Sequence, residues 1–196
     1  MKFPEIIENL ILFYQKMPGI GRKSAERMAL KTLEMDEDEI RFFSQTLLDA
    51  NQKIKKCSQC NNFSDFDLCS ICSDKKRNAR KICIVEDARK IITIEKLQIF
   101  DGCYYLLEAL ITPEIENEKI DQIVQPILEK AKNKEIDELI FALRLTIESE
   151  TTIAYMTKLL EKYGVKITKI AQGVPHGADI DYLDALTIEK AFADRK

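Results

Sequence analysis

The sequence predicts an α+β chain of several domains: a helical amino-terminal quarter, a small cysteine-rich module, and an α/β region on a mainly parallel sheet. Three observations carry this. Apolar residues recur at three-and-four spacing up to about Lys55, periodicity vanishes between Cys57 and Cys72, and beyond Lys81 short β-branched runs alternate with amphipathic stretches. The chain has 196 residues, 45% of them hydrophobic, enough for a real core in one large or two small folding units.

Residues 5 to 17 put Ile6, Leu10, Phe13 and Met17 on one helical face with Ile7, Ile11 and Tyr14 beside it, and Pro18-Gly19 ends that helix. A second helix starts near Arg22 and is expected to bury Ala25, Met28, Ala29 and Leu33. Asp36 with Glu39 three residues on resembles a capping box, opening a third helix to about Lys55 whose Ile40, Phe43, Leu47, Ala50 and Ile54 are expected to face inward. Beyond the cysteines, ICIVE, YYLLEAL, ELIFAL and VKITKIA read as strands. Amphipathic helices separate them around residues 88 to 97, 120 to 132 and 150 to 163. Strands alternating with helices predict a parallel sheet covered on both faces. A Gly- and Pro-marked loop and a short helix complete the chain.

Thirty basic against 33 acidic residues give a formal charge of −3, so any basic surface must be local. No run of 18 apolar residues exists, and Glu5 and Glu8 interrupt the stretch where a signal peptide needs continuity. A cytoplasmic location is expected, and with it reduced cysteines. The single histidine and the lack of tryptophan narrow the catalytic options.

Cys57-x2-Cys60 and Cys69-x2-Cys72 are two knuckles eight residues apart. Together they can supply a closed tetrahedral shell of four thiolates for one zinc ion. With every position filled by protein sulfur, the metal would be structural and not catalytic. Cys83 and Cys103 stand alone in or beside strand-like runs and are expected to be buried as small hydrophobes.

Between the first two helices lies Met17-Pro18-Gly19-Ile20-Gly21-Arg22-Lys23-Ser24-Ala25. Gly19 and Gly21 permit positive φ and remove bulk, leaving amides at the start of the second helix open to a phosphate. Lys23, Arg27 and Lys31 recur at four-residue intervals on one face, with Arg22 and Lys16 at the turn. Residues 16 to 31 hold five basic and one acidic side chain, a local +4. Such a surface suits the nucleic-acid backbone, with sequence-independent, salt-sensitive binding. Gly21-Arg22-Lys23-Ser24 is not a nucleotide loop, which needs Gly directly before Lys and a preceding strand.

A second basic cluster flanks the cysteines, with eight basic and three acidic residues between Lys53 and Lys81. Four thiolates and one zinc ion reduce its +5 to about +3. Glu86, Glu148 and Glu150 follow strand-like runs, where an open parallel sheet gathers functional groups, and three carboxylates would suit Mg²⁺. The expected reading is nevertheless plainer: Glu148 and Glu150 as first-turn residues favoured by the helix dipole, and Glu86 as a loop charge. His176 sits in a Pro-His-Gly turn without an evident partner, and Asp179 and Asp181 read as loop residues.

The order of these parts resembles the RecR family of bacterial recombination mediators across essentially the whole chain. The matching segments are Met17 to Ala29, Cys57 to Cys72, Ile82 to Glu86 and Ala171 to Asp179. The resemblance implies a helix-hairpin-helix DNA-binding domain (residues 1–54), a C4 zinc finger (55–78), a Toprim domain (80–173) and a carboxy-terminal oligomerisation segment (174–196). It further implies a ring-like homotetramer that surrounds DNA, associates with the nucleoid, and acts with RecO and RecF to load recombinase on single strands, without catalysis. By the same resemblance Lys23 and Arg27 face DNA, the four cysteines hold zinc, and Glu86, Glu148 and Glu150 form an acidic partner surface. The chain departs from the family where Asn-Pro-Thr is usual, having Arg144-Leu145-Thr146, and in Ser149, where glycine is usual. TPEIENEK stands in place of the family's glycine-rich turn after the second strand. A Mg²⁺-dependent Toprim enzyme, of nuclease, primase or topoisomerase type, is the alternative expectation. It lacks the D-x-D pattern of catalytic members and a singled-out tyrosine.

Overall fold

The computed structural model describes residues 2–171, 174 and 177–193. It divides into two compact units, residues 1–54 and 55–196.

In the first unit, helices α1 (Glu5–Gln15), α2 (Arg22–Leu33) and α3 (Glu37–Lys53) follow in order. Helices α1 and α2 close on Ile11, Ala25 and Ala29, with Ile7, Leu10, Tyr14 and Ile20 packed around them. The two alanines let the backbones approach, and Tyr14 Oη meets Thr32 Oγ1 at 2.6 Å. This corrects the expected faces. Ile6, Phe13, Met17, Met28 and Leu33 are exposed, because the small-residue contact line draws the Ile7–Ile11–Tyr14 side of α1 inward instead. Helix α3 opens with the expected capping box between Asp36 and Glu39. None of its residues is buried, and Phe43, Leu47, Ala50 and Ile54, expected inside, are exposed.

The second unit begins with the antiparallel pair β1 (Lys55–Lys56) and β2 (Phe63–Ser64) and the short helix α4 (Ser70–Ser73). There follow β3 (Asn78–Val85), α5 (Ala88–Leu97), β4 (Gly102–Leu106), α6 (Asn117–Lys132), β5 (Glu138–Phe141), α7 (Ile147–Leu160) and β6 (Lys166–Lys169). A 3₁₀ turn at Ile180–Tyr182 precedes α8 (Ala185–Ala193). The expected helices and strands are present. YYLLEAL becomes strand only as far as Leu106.

The sheet runs β4-β3-β5-β6 with every ladder parallel. Side chains alternate along β3, so Ile82 and Ile84 enter one cluster with Leu139, Phe141, Ile127, Met156 and Leu160, under α6 and α7. Cys83 and Val85 enter another with Ile91 of α5, Tyr104 and Ala142. Both faces are thus covered, as β-branched continuous runs require. Gly102 is obligatory at the β4 edge, since a Cβ there would lie 2.4 Å from the Lys81 carbonyl oxygen. The chain leaves β3 toward β4 and later crosses back to β5. The carboxyl ends of β3 and β5 therefore flank the topological switch point.

Candidate nucleic-acid interface, metal centre and acidic crevice

The turn between α1 and α2 is built as the glycines suggest. Gly19 has φ 79°, a left-handed conformation, and the Ile20 amide returns to the Met17 carbonyl at 3.1 Å. Gly21 is the N-cap of α2 in extended conformation, contributes no side-chain cap, and has open space where a Cβ would stand. No acidic residue occupies the first turn of α2. The first-turn amides are therefore left for an outside acceptor.

The cations around this turn are not equivalent. Arg22 is engaged by two carboxylates, Glu26 at 2.7 Å and Glu8 at 2.8 Å. The hydrogen bonds it donates to Glu26 and then to Glu8 raise its pKa further. Lys31 pairs with Glu34 at 2.9 Å, and Lys16 lies 4.7 Å from the centre of the Phe13 ring. Lys23 and Arg27, both exposed, form no ion pair among the described residues. Of the six positions named from sequence, Gly19, Gly21, Lys23 and Arg27 are open to a ligand, whereas Arg22 and Lys31 are engaged.

The sulfurs of Cys57, Cys60, Cys69 and Cys72 lie within 4.8 Å of one another, with Cys60 Sγ and Cys69 Sγ 3.6 Å apart. A tetrahedral site with zinc–sulfur bonds of about 2.3 Å separates its sulfurs by about 3.8 Å, so the set fits. Backbone amides already point at the sulfurs: Cys69 N–H donates to Cys57 Sγ at 3.3 Å, and Cys72 N–H to Cys69 Sγ at 3.5 Å. The left-handed Asn61, φ 61°, completes the first knuckle, and α4 supplies the second. Without a cation the four groups cannot all ionise. The Cys72 thiol draws Cys60 down to about 6 and is itself pushed up by its bonds to Cys103 and Cys60, while burial raises Cys69. A divalent ion removes that conflict. The module is tied to the sheet where Leu106 N–H donates to the Cys60 carbonyl at 2.8 Å and Lys56 meets Glu108 at 2.6 Å.

Cys83 is buried as expected, which pushes its thiol up to about 11. Cys103 differs: it is half-buried, and the neighbouring Cys72 thiol draws its pKa down to about 7, although it lies outside the four-sulfur set. Sequence reading missed this because 31 residues separate the two cysteines and only β4 brings them together.

At the switch point, Glu86 follows β3 with its side chain only 8% exposed. Its Oε1 takes Lys90 Nζ at 2.8 Å, and Arg144 Nε and the Arg144 amide each at 3.2 Å; its Oε2 is buried without a hydrogen-bond partner among the described residues. These groups line a cavity of about 450 Å³ with Asp87, Arg89 and Thr93. Arg144, one of the departures noted above, thus covers Glu86. Glu148 and Glu150 sit in the first turn of α7, which Thr146 caps by accepting the Ser149 amide at 3.2 Å. The helix's own backbone N–H and then Thr146 lower the pKa of Glu148, and Glu150 pairs with Lys169 at 2.5 Å. The three carboxylates do not converge: among the described residues the only metal-ligating cluster of three or more is the cysteine set. The reading as loop and first-turn residues fits them. Asp179 caps the 3₁₀ turn at Ile180–Tyr182, in keeping with a loop role, and His176 lies outside the described residues.

Four family models match the chain in this order: the RecR helix-hairpin-helix over residues 7–51, the RecR four-cysteine zinc finger domain over 54–74, the Toprim domain over 80–171, and the RecR C-terminal region over 173–196. The proteins named Recombination protein RecR in Staphylococcus aureus strains MRSA252, Newman and COL are each 38% identical to it over 195 residues. That alignment covers 100% of this chain and 98% of each relative. With the zinc-finger match and the sulfur geometry together, the metal is one structural zinc ion. Among the described residues no helix is long and apolar enough to cross a membrane.

Proposed function

Because the chain belongs to the RecR family of recombination proteins, we propose that it is a non-enzymatic, DNA-binding recombination mediator in DNA repair. In this role it acts with RecO- and RecF-like proteins to load recombinase on single-stranded DNA. The observation that carries the reading is the uncapped start of α2, with Lys23 and Arg27 one turn apart on the same face and in no ion pair among the described residues. Amides and cations converging on one anion, with no base-reading side chain, hold backbone phosphates without regard to sequence.

Residues 1–54 are assigned to phosphate contact, 55–78 to the zinc finger, 80–173 to the Toprim partner surface and 174–196 to oligomer contacts. The exposed apolar side chains of α1 and α3 support subunit association, and a homotetrameric ring would let weak contacts add to a long residence time. A cytoplasmic, nucleoid-associated location follows from that role. Bound zinc fixes the fold of a segment too small to bury a core, and this chain's part is to present four sulfurs and the amides that hold them. The Toprim carboxylates are read as a partner-facing surface and not a catalytic one: Glu86 is covered by Lys90 and Arg144, and Glu150 is held by Lys169.

Binding to oligonucleotides of unrelated sequence, with and without Mg²⁺, tests the reading. Equal affinity across sequences, a steep fall with salt and uncut strands are expected. Cleavage or primer synthesis that needs Mg²⁺ and disappears in Glu86→Gln would replace the mediator with a Toprim enzyme.

A further inference from the structure

The Toprim match implies a Mg²⁺ site at the carboxyl ends of β3 and β5, and the residues there do not fit one. Glu86, the acid that directly follows β3, has no oxygen to give. Its Oε1 already accepts from Lys90 Nζ at 2.8 Å and from Arg144 Nε and the Arg144 amide at 3.2 Å each. Its Oε2 is buried with no hydrogen-bond partner among the described residues. A Mg²⁺ ion needs an oxygen at about 2.0–2.1 Å and keeps several of its waters, and an oxygen out of reach of solvent has room for neither ion nor shell. Asp87 is committed as well. It caps α5 by accepting the Arg89 amide at 2.8 Å, and its Oδ2 holds Arg89 Nε at 2.8 Å.

The crevice also lacks a negative charge for a metal to neutralise. Its lining carries Arg89, Lys90 and Arg144 against Glu86 and Asp87. Glu148 makes the count even: after its backbone and Thr146 hydrogen bonds, the Arg144 charge also holds that carboxyl down. Glu150 is matched by Lys169. A dication entering this balance would meet Lys90 and Arg144 at the same oxygen, and partial burial strengthens the repulsion. The two cations are set differently. Lys90, 31% exposed, is anchored by a second bond to the Ala142 carbonyl at 2.9 Å, whereas Arg144, on the connection from β5 to α7, is 71% exposed.

We propose that Lys90 and Arg144 take the place of a divalent cation in this chain's Toprim crevice: they supply the positive charge on Glu86, fix the β5–α7 connection against the end of β3, and exclude Mg²⁺. A partner recruited to this surface is then recruited without a divalent ion. That consequence rests on the mediator reading above, whereas the exclusion of the metal does not.

Mn²⁺ takes the same oxygen ligands as Mg²⁺ and is counted by its electron paramagnetic resonance signal, which makes it the probe. In the full, zinc-loaded protein at matched ionic strength, Mn²⁺ uptake is expected to be the same for the parent and Glu86→Gln, because nothing the surface carboxylates hold involves Glu86. Lys90→Met/Arg144→Ala leaves Glu86 without its cations. It is expected to melt at a lower temperature than the parent, to gain about tenfold or more in Mn²⁺ affinity, and to regain thermal stability as Mn²⁺ is added. Adding Glu86→Gln to that variant should abolish the gain. Arg144→Ala alone changes an exposed side chain, so it keeps the test decisive if the double variant does not fold, and it should gain about threefold. Parent uptake that falls in Glu86→Gln would overturn the proposal, and so would folded variants that take up no more Mn²⁺ than the parent. The mediator reading fails elsewhere: sequence-dependent or salt-insensitive DNA binding defeats it and leaves Mn²⁺ uptake as it is.

Discussion

Replacing Lys23 and Arg27 together by glutamine should flatten the salt dependence of DNA binding by an amount the ion pairs of α2 define. Of the four cations on or beside that helix's face, Arg22 already holds Glu8 and Glu26, and Lys31 holds Glu34. Lys23 and Arg27 remain, so two phosphate contacts per engaged turn are at stake. Each contributes about 0.9 to the slope of log affinity against log salt on duplex and about 0.7 on single strands. The double variant should therefore lose about 1.8 from the duplex slope per engaged turn. Between about 50 and about 200 mM salt, each contact changes affinity by about 3.5-fold, so the two account for about 12-fold. Both side chains are exposed and form no ion pair among the described residues, so thermal stability should not change. Arg22→Gln and Lys31→Gln, measured alongside by fluorescence anisotropy, should each move the slope by less than about half a unit, since their counterions are intramolecular. A double variant with the parent slope, beside a flattened Arg22→Gln or Lys31→Gln, would refute the division into engaged and free cations and with it the location of the phosphate.

Four further outcomes follow from the same geometry. Gly21→Asp should stabilise α2 by up to about 0.5 kcal/mol in chemical denaturation by supplying the missing cap, while weakening DNA binding, because the new carboxylate takes the amides and repels phosphate. Gly19→Ala should cost about 1–2 kcal/mol from left-handed backbone strain alone, since nothing lies within 4 Å of the new methyl group. Unchanged stability would mean the turn is not the one described. Cys69→Ser, or strong chelation, should drop zinc well below one ion per chain by metal analysis and unfold the segment from Lys55 to Ser73, which has little else to bury. Retained protection of the Leu106 amide, bonded to Cys60, would contradict this. Finally, Arg77 holds the Glu95 carboxyl below its usual range, with Tyr104 adding a second hydrogen bond, and Arg89 and the α5 amide hold Asp87 at about 2. Groups depressed in the folded state stabilise it above their unfolded pKa and lose that contribution as pH falls. Stability should thus decline below about pH 4, and Glu95→Gln should make the decline shallower in acid titrations followed by circular dichroism.

The features legible in the sequence are those whose partners lie within a few residues. Two CxxC knuckles define a zinc shell because each knuckle positions its own pair of sulfurs. Gly19 and Gly21 define an open helix start because a turn's backbone geometry is local. The Asp36–Glu39 box and the alternation of strands and helices are equally short-range, and the α+β class with a parallel sheet follows from them. What the spacing could not supply was which side of each element meets which neighbour. The inward face of α1 was decided by Ala25 and Ala29 on the other helix, and the exposure of α3 by the lack of any buried contact along it. Glu86, Glu148 and Glu150 were placed at the sheet's carboxyl end from sequence, but only the fold set Arg144 and Lys90 over the first, Lys169 on the last, and kept the three apart. In the same way Cys103 came to lie beside Cys72 through β4 without joining the four-sulfur set, Arg22 and Lys31 were removed from the free charge by Glu8, Glu26 and Glu34, and Phe63 and Phe66 were left outside. Local periodicity sets conformation, whereas burial and charge pairing are settled between segments far apart in the chain, and no spacing rule encodes that long-range choice.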